Sequence, residues 1–381
     1  MKNVINNKKI LAIIIAIVLL MFVSACGVRY STLPGSELEP PSIEPNTISA
    51  GNVFSMAIKE DGSLWAWGSN HRGQLGDGTR RNRHSPVMIR GDMASVSTNV
   101  GEFIYSSVGG TLVAGLTADG TLVTWGVDIR DRALERQRSV GNPPQTSRFL
   151  STPVEIMKNV SGFSVGNGHI MAITSDGTLW GWGVNSHRQI VTSESRHYPS
   201  PTPVKNDVIA VSVGSFHTMA ITSDNVLWGW GSNSSGQIGD GTVPHGRATP
   251  PTRIKDDVIA VSAGNFHTMA ITSDGALWGW GGNRRSPEKI MDDVIAVSSG
   301  AWHSMAIRSD GSLWALGANW GSPEKIMDDV VAVSVGADHT IAVTSDGVLW
   351  AWGSNDVGQL GDGTTENRNS PVRIMENVKL P

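Results

Sequence analysis

From Thr47 onward the chain repeats one arrangement of apolar and polar positions. In its clearest copy, Val258-Ile259-Ala260-Val261-Ser262-Ala263-Gly264 is followed by His267-Thr268-Met269-Ala270-Ile271-Thr272, then Asp274-Gly275, then Leu277-Trp278-Gly279-Trp280-Gly281. Short runs rich in β-branched and aromatic residues, bounded by Gly, read as strands, and Asp-Gly supplies the positive φ angles of a tight hairpin turn. Each unit is therefore predicted as strand, strand, hairpin turn, strand. A further short apolar piece such as Pro371-Val372-Arg373-Ile374 completes it, and its leading Pro suits an outer edge strand, where a missing N–H breaks no ladder bond.

The turn recurs as Asp61-Gly62, Asp119-Gly120, Asp176-Gly177, Asp224-Asn225, Asp274-Gly275, Asp310-Gly311 and Asp346-Gly347. A unit of three or four short strands cannot bury its own Trp and Ile faces, so neighbours must cover one another. The expected fold is all-β, a seven-bladed β-propeller. The last copy stops at Asn377-Val378-Lys379-Leu380, where others continue into Val-Ser-x-Gly, and the missing piece stands at the other end as Ile48-Ser49-Ala50-Gly51. N- and C-terminal segments are thus predicted to close one blade jointly, which removes an exposed sheet edge.

Composition follows from the repeat. Trp (14) outnumbers Phe (7) and Tyr (3) because the copied segments carry all of the Trp except Trp302 and Trp320. The single Cys excludes an internal disulfide and a Cys-based zinc cluster.

The N-terminus departs from the repeat. Lys2, Lys8 and Lys9 precede an unbroken apolar run from Ile10 to Val23, which ends in Ser24-Ala25-Cys26. Basic, apolar, small is the order of a secretory signal, and such a run covers roughly 21 Å as a helix, short of a ~30 Å hydrocarbon core. Val23-Ser24-Ala25-Cys26 resembles the lipobox of bacterial lipoproteins, which implies acylation of Cys26 and cleavage before it. The organisation expected is a signal peptide over 1–25, a flexible Pro-, Ser- and Glu-rich tether over 26–46 and the propeller over 47–381. The protein would then be exported and lipid-anchored at the outer face of the cell membrane. Loss of the three Lys takes the formal charge from −4 to −7, so nucleic acid is not an expected partner.

Gly264-x-x-His267-Thr268, the Asp274-Gly275 turn, Trp278-Gly279-Trp280-Gly281 and Gly73-Gln74-Leu75-Gly76-Asp77-Gly78-Thr79 together resemble repeats of the regulator of chromosome condensation family. The resemblance covers nearly everything after Thr47 and implies the propeller fold. Its founding activity, guanine nucleotide exchange on a nuclear GTPase, does not suit an exported lipoprotein, and no exchange-specific residue carries over. In context the chain is similar to secreted bacterial propellers of this repeat type that inhibit β-lactamases by covering the active site with loops.

Candidate chemistry is sparse. His169, His217, His267, His303 and His339 each stand seven residues before the turn Asp, and Phe54 and Leu112 replace them in the first two copies. Equivalent positions on separate blades do not converge on one ion, so these His are expected to be packed and bonded to backbone near each hairpin rather than to hold a metal. The turn Asp recur because the turn demands them. Asp77, Asp240 and Asp362, in Gly-Asp-Gly-Thr loops, lack the ligand spacing of a calcium loop. No nucleophile elbow, Walker loop or zinc-protease motif occurs, and neither a catalytic residue nor a cofactor is expected.

The informative asymmetry lies between the Trp-Gly strand and the Pro of the outer strand. Gly68 to Pro86, Gly126 to Pro153, Gly183 to Pro203, Gly231 to Pro251 and Gly353 to Pro371 are long, whereas Gly281 to Pro287 and Gly317 to Pro323 are short. These loops share one face, where a partner would dock. Arg80, Arg81 and Arg83 in the first, and Arg130, Arg132, Arg136 and Arg138 in the second, suit carboxylates or phosphates through the planar guanidinium fork. The expected function is a non-catalytic module binding a protein or a cell-wall polymer. The alternative is an extracytoplasmic enzyme, or an inhibitor-like regulator, with its site on the same face.

Overall fold

A computed structural model describes residues 46–99, 111–130, 149–243, 248–317 and 322–381. Cys26 and the whole leader and tether, apart from residue 46, lie outside the described residues, as do Arg132, Arg136, Arg138 and Trp320. Among the described residues the chain is all β, and seven four-stranded antiparallel sheets follow one another in sequence order. Blade 1 comprises Ile48–Ala50, Phe54–Ile58, Ser63–Gly68 and Arg83–Gly91. Blades 2 to 7 begin with the inner strands Met93–Thr98, Val160–Val165, Val208–Val213, Val258–Ala263, Val294–Ser299 and Val330–Val335. The predicted seven-bladed propeller is the observed fold.

The hydrophobic core is divided into seven, one cluster in each gap between blades. Alternation along the second strand explains this, since successive side chains point to opposite faces. In blade 5, Met269 and Ile271 pack toward blade 6, whereas Ala270 and Trp280 pack toward blade 4. No blade has a buried face of its own, so each is stable only between two others.

The paired Trp divide the work. Trp67, Trp125, Trp182, Trp230 and Trp280, second in each segment, are fully buried between blades. Burying one removes about 150 to 250 Å², or roughly 4 to 6 kcal/mol before entropy is counted. The first Trp of each pair is half-buried and braces the hairpin instead. Trp278 Nε1 donates to Thr272 Oγ1 at 3.2 Å, Thr272 Oγ1 donates to Asp274 Oδ1 at 2.6 Å, and Lys255 Nζ covers the indole at 3.8 Å. Where the Thr is absent, a Ser on the far side of the turn replaces it, as in Ser63 with Asp61 and Trp65.

The hairpin differs from the expected one in one respect. Positive φ occurs at Gly275 (+79°), and at Asn225 (+60°) in the Asp-Asn copy, but not at the preceding Asp. Gly275 N donates to Thr272 O, and Thr272 N to Ala276 O, which closes a three-residue loop with one left-handed residue rather than a two-residue turn with two. Asp274 is thereby free to point its carboxylate back at the loop. The hydrogen bond from Thr272 holds that carboxyl below its ordinary pKa, and the other turn Asp are held down by equivalent Thr or Ser hydroxyls.

Closure takes place inside a single strand. Val378 bridges Lys59 just as Val258 pairs with Thr272 in blade 5, and Ile48–Ala50 then continues along Ala57, Met56 and Ser55. Ile58 N donates to Thr47 O and Lys379 N to Ile58 O, so both ends of the chain hold the same neighbour. The first residue of the inner strand of blade 1 comes from one terminus and the rest from the other.

One Ser per inner strand lines the central channel: Ser49, Ser97, Ser164, Ser212, Ser262, Ser298 and Ser334. Its hydroxyl accepts the amide of the next inner strand, as in Ser212 Oγ from Ala263 N at 2.9 Å and Ser334 Oγ from Ala50 N at 2.9 Å. This accounts for the recurrent Val-Ser-x-Gly, because the inner strands splay too far apart for a backbone ladder and a short hydroxyl bridges them.

The outer strands begin before their prolines in every blade but the sixth, where Glu324–Met327 starts directly after Pro323. In blade 7 the strand is Arg368–Met375, with Pro371 inside it at an irregularity between Ala351 and Gly353. The outer edge tolerates the missing donor, as expected.

Candidate functional site

Because strands alternate in direction, one end of the ring carries the Asp-Gly hairpins and the blade-to-blade corners. The other end carries the Gly-x-x-His turns from inner to second strand, together with all the long loops. The histidines therefore lie at the far end of their strands from the hairpins. For four of the five the partner is a hydroxyl of the next blade, which corrects the expected backbone bond, whereas neither ring nitrogen of His169 has a partner among the described residues. His217 Nε2 lies 3.1 Å from Thr268 Oγ1, His267 Nε2 2.8 Å from Ser304 Oγ, His303 Nε2 3.3 Å from Thr340 Oγ1, and His339 Nε2 2.8 Å from Ser55 Oγ. Burial drives these imidazoles neutral, pushing His169, His217 and His339 down to about 3 and His267 to about 4, with each neighbouring His adding to the effect. The layer is uncharged near neutral pH, and among the described residues no three His, Cys, Asp or Glu gather as a metal site requires.

The long loops of blades 1, 3, 4 and 7 leave their own blade and lie on the following one. The indole N–H of Trp125 donates to Gln74 O at 2.9 Å, that of Trp280 to Gln237 O at 3.0 Å, and that of Trp67 to Gln359 O at 3.0 Å. Backbone approaches so closely that a Cβ on Gly361, at φ +84°, would stand 2.6 Å from Trp67 Nε1. The Gly-Gln-Leu-Gly segment is therefore packing material, with Leu75, Ile238 and Leu360 fully buried.

The loop acids are committed in the same way. Asp77 Oδ1 accepts from Asn70, Thr79 N and Thr79 Oγ1, while Oδ2 accepts both Nε and Nη2 of Arg83. Burial pushes the Asp77 carboxyl up, yet the bonds from Thr79 and Arg83 outweigh it and hold the pKa below the usual range. Asp362 with Arg368 repeats the arrangement in blade 7.

The structure distributes the predicted arginines unequally. Arg83 is the brace of Asp77, and Arg130 forms a 2.7 Å pair with the buried Asp128, which raises the guanidinium pKa. Arg80 lies 5.4 Å over the ring of Phe149 in the outer strand of blade 2, and Arg81 is exposed beyond it. Of the described members of the cluster, Arg80 and Arg81 are the ones turned outward, on a loop resting against the next blade.

Sequence reasoning missed a second feature. Since these loops cover their successors, the short connection of blade 5 leaves blade 6 bare, one blade further on than counting loop lengths suggests. Trp302 stands in that gap at 59% exposure. Its only signal in the sequence was being a Trp outside the repeat.

With this geometry in view, the comparisons with known proteins are direct. The RCC1-like domain family matches residues 30–286, and regulator of chromosome condensation (RCC1) repeats match residues 330–359 and 346–380. The chain belongs to the RCC1-like domain family. It is 29% identical over 145 residues to the Ultraviolet-B receptor UVR8 of Arabidopsis thaliana, covering 38% of this chain and 30% of that protein. Over 148 residues it is 32% identical to protein pim1 of Schizosaccharomyces pombe, covering 36% and 26%. The matched region spans about a third or less of these relatives. Among solved structures, human WBSCR16 superposes with a TM-score of 0.67 at 20% identity over 82% of this chain and 94% of that one. Prp20p of Saccharomyces cerevisiae gives 0.55 at 18% over 94% and 88%. At such identities these two likenesses concern the fold alone.

Proposed function

We propose that this protein is a lipid-anchored, cell-surface propeller that binds a protein or a wall polymer through its loop end without catalysing a reaction. One observation carries the preference for binding over catalysis. The repeated His and Asp are spent on holding neighbouring blades and loops together, whereas Arg80 and Arg81 stand at the solvent edge of the loop end. Relatives support protein partners, since Prp20p has binding properties toward Gsp1p and histones. The anchor rests on the single Cys, Cys26, placed after an apolar run and small residues. Two or more acyl chains give stable anchoring at ~0.8 kcal/mol per buried methylene.

Cross-linking on intact cells should identify a partner with an acidic surface, or an acidic polymer, whose capture disappears in the Arg80→Glu/Arg81→Glu double variant while melting stays within about 1 °C. A partner profile unchanged by that charge reversal sinks the docking role. A palmitate analogue should label the wild type and not Cys26→Ala; unlabelled wild type removes the anchor.

A further inference from the structure

The residue just before each layer histidine has the same place in every blade, on the turn beside the mouth of the channel. In blades 4, 5 and 6 it is Phe216, Phe266 and Trp302, and in blade 7 it is Asp338. Phe216 and Phe266 are half-buried, and Trp302 is exposed. Phe216 packs on His187 of the blade 3 loop with centroids 4.5 Å apart, Phe266 packs on Trp302 at 5.5 Å, and Trp302 is the most exposed large apolar side chain among the described residues. The indole is thus held at its Phe266 side and bare elsewhere, because no long loop reaches over blade 6.

Asp338 is the next residue around the rim. The two turns touch, with Ala301 N donating to Gly336 O at 3.4 Å and a Cβ on Gly300 excluded by Gly336 O at 2.3 Å. Asp338 is exposed and holds no ion pair among the described residues, and its charge opposes the effect of burial on His303. An indole face and an unmatched carboxylate on adjoining turns present two attractions to the same kind of group.

We infer that Trp302 and Asp338 form a site for a cationic side chain, an arginine or lysine of a protein partner. A cation over the indole is attracted by the ring quadrupole, and a guanidinium can stack there while its fork bonds the carboxylate. Charge complementarity selects this occupant, since an apolar group leaves Asp338 unmatched and an acid is repelled. The outward Arg80 and Arg81 lie on the loop of blade 1 over blade 2, beyond the seam where blade 7 meets blade 1, so the loop end shows both signs of charge and fixes the orientation of whatever docks.

The test uses the full chain in detergent, labelled with 5-fluorotryptophan and followed by fluorine NMR, with the Trp302 resonance assigned from Trp302→Phe. Acetyl-Arg-Arg-amide should shift that resonance saturably, and the neutral citrulline counterpart should not. Asp338→Asn should weaken the titration about two- to fivefold, and Arg80→Glu/Arg81→Glu should leave it unchanged. No shift at millimolar peptide, an equal response to citrulline, or loss of the shift in the Arg variant overturns the site. Partner capture lost in the Arg variant while the peptide titration fails discards this site and keeps the docking role; the converse does the opposite.

Discussion

The hairpin end and the loop end of the ring are made from the same seven copies, yet the first is much the more uniform. At the hairpin end a carboxylate, a hydroxyl and an indole form a closed set within a few residues, and the corner from the preceding blade adds backbone bonds such as Val258 N to Asn225 O and Ser273 N to Asp257 O. Every group has a neighbour that depends on it. At the loop end, the Gly-x-x-His turns and the segment touching the next blade are repeated; the loop tips beyond them vary from Arg80-Arg81 to almost nothing. Repetition marks where the ring holds itself together, and departure from it marks where the protein can address something else.

The largest expected effect tests the closure that both ends serve. A chain ending before Ser370 loses most of an outer strand together with Val378, and should be destabilised by several kcal/mol, enough to abolish a cooperative melt. A melting curve matching the full chain would show that the ring does not need its clasp.

Acid should act next, and through the loop end first. The buried histidines titrate at about 3 to 4 when folded, against 6.5 when unfolded, so between those values the unfolded chain binds more protons. Their contribution is complete above pH 6.5 and is lost as pH falls through that window. The turn aspartates work in the same direction only below about pH 4. Urea midpoints should fall steadily from pH 6.5 to 4. His217→Phe, which copies the choice blade 1 makes at Phe54, should flatten the slope by up to ~1.4 kcal/mol per pH unit. An unaltered slope in that variant would refute the neutral layer.

A smaller contrast separates covered from bare sectors. Gly361→Ala places a methyl against Trp67 at a left-handed φ and should cost about 2 to 3 kcal/mol. Gly317→Ala meets nothing within 4 Å and should stay within ~0.5 kcal/mol of wild type. Equal losses in calorimetry would mean that the loops do not rest on the next blade.

Much of the fold was legible because its determinants are local. The Asp-Gly turn, strand alternation and the missing Val-Ser-x-Gly at the C-terminal end are all visible within one copy or between two. What escaped depends on relations between blades. Nothing in Gly264-x-x-His267 reveals that the imidazole meets Ser304 of the following blade, nor that a loop covers its successor. The arginine cluster was legible as charge but not as partnership, because Asp77 and Asp128 take up Arg83 and Arg130. Asp338 looked like any surface acid until the turn beside it placed it next to Trp302.

The strand shared between Val378 and Thr47–Ala50 also sets the order of events during synthesis. The first blade made is the last to be finished, since its innermost strand waits for Val378, which is made after all the other blades. Until then the nascent circle is an arc with two open flanks, each a template for another chain. Any machinery that handles this protein before Val378 has emerged therefore meets it unlatched.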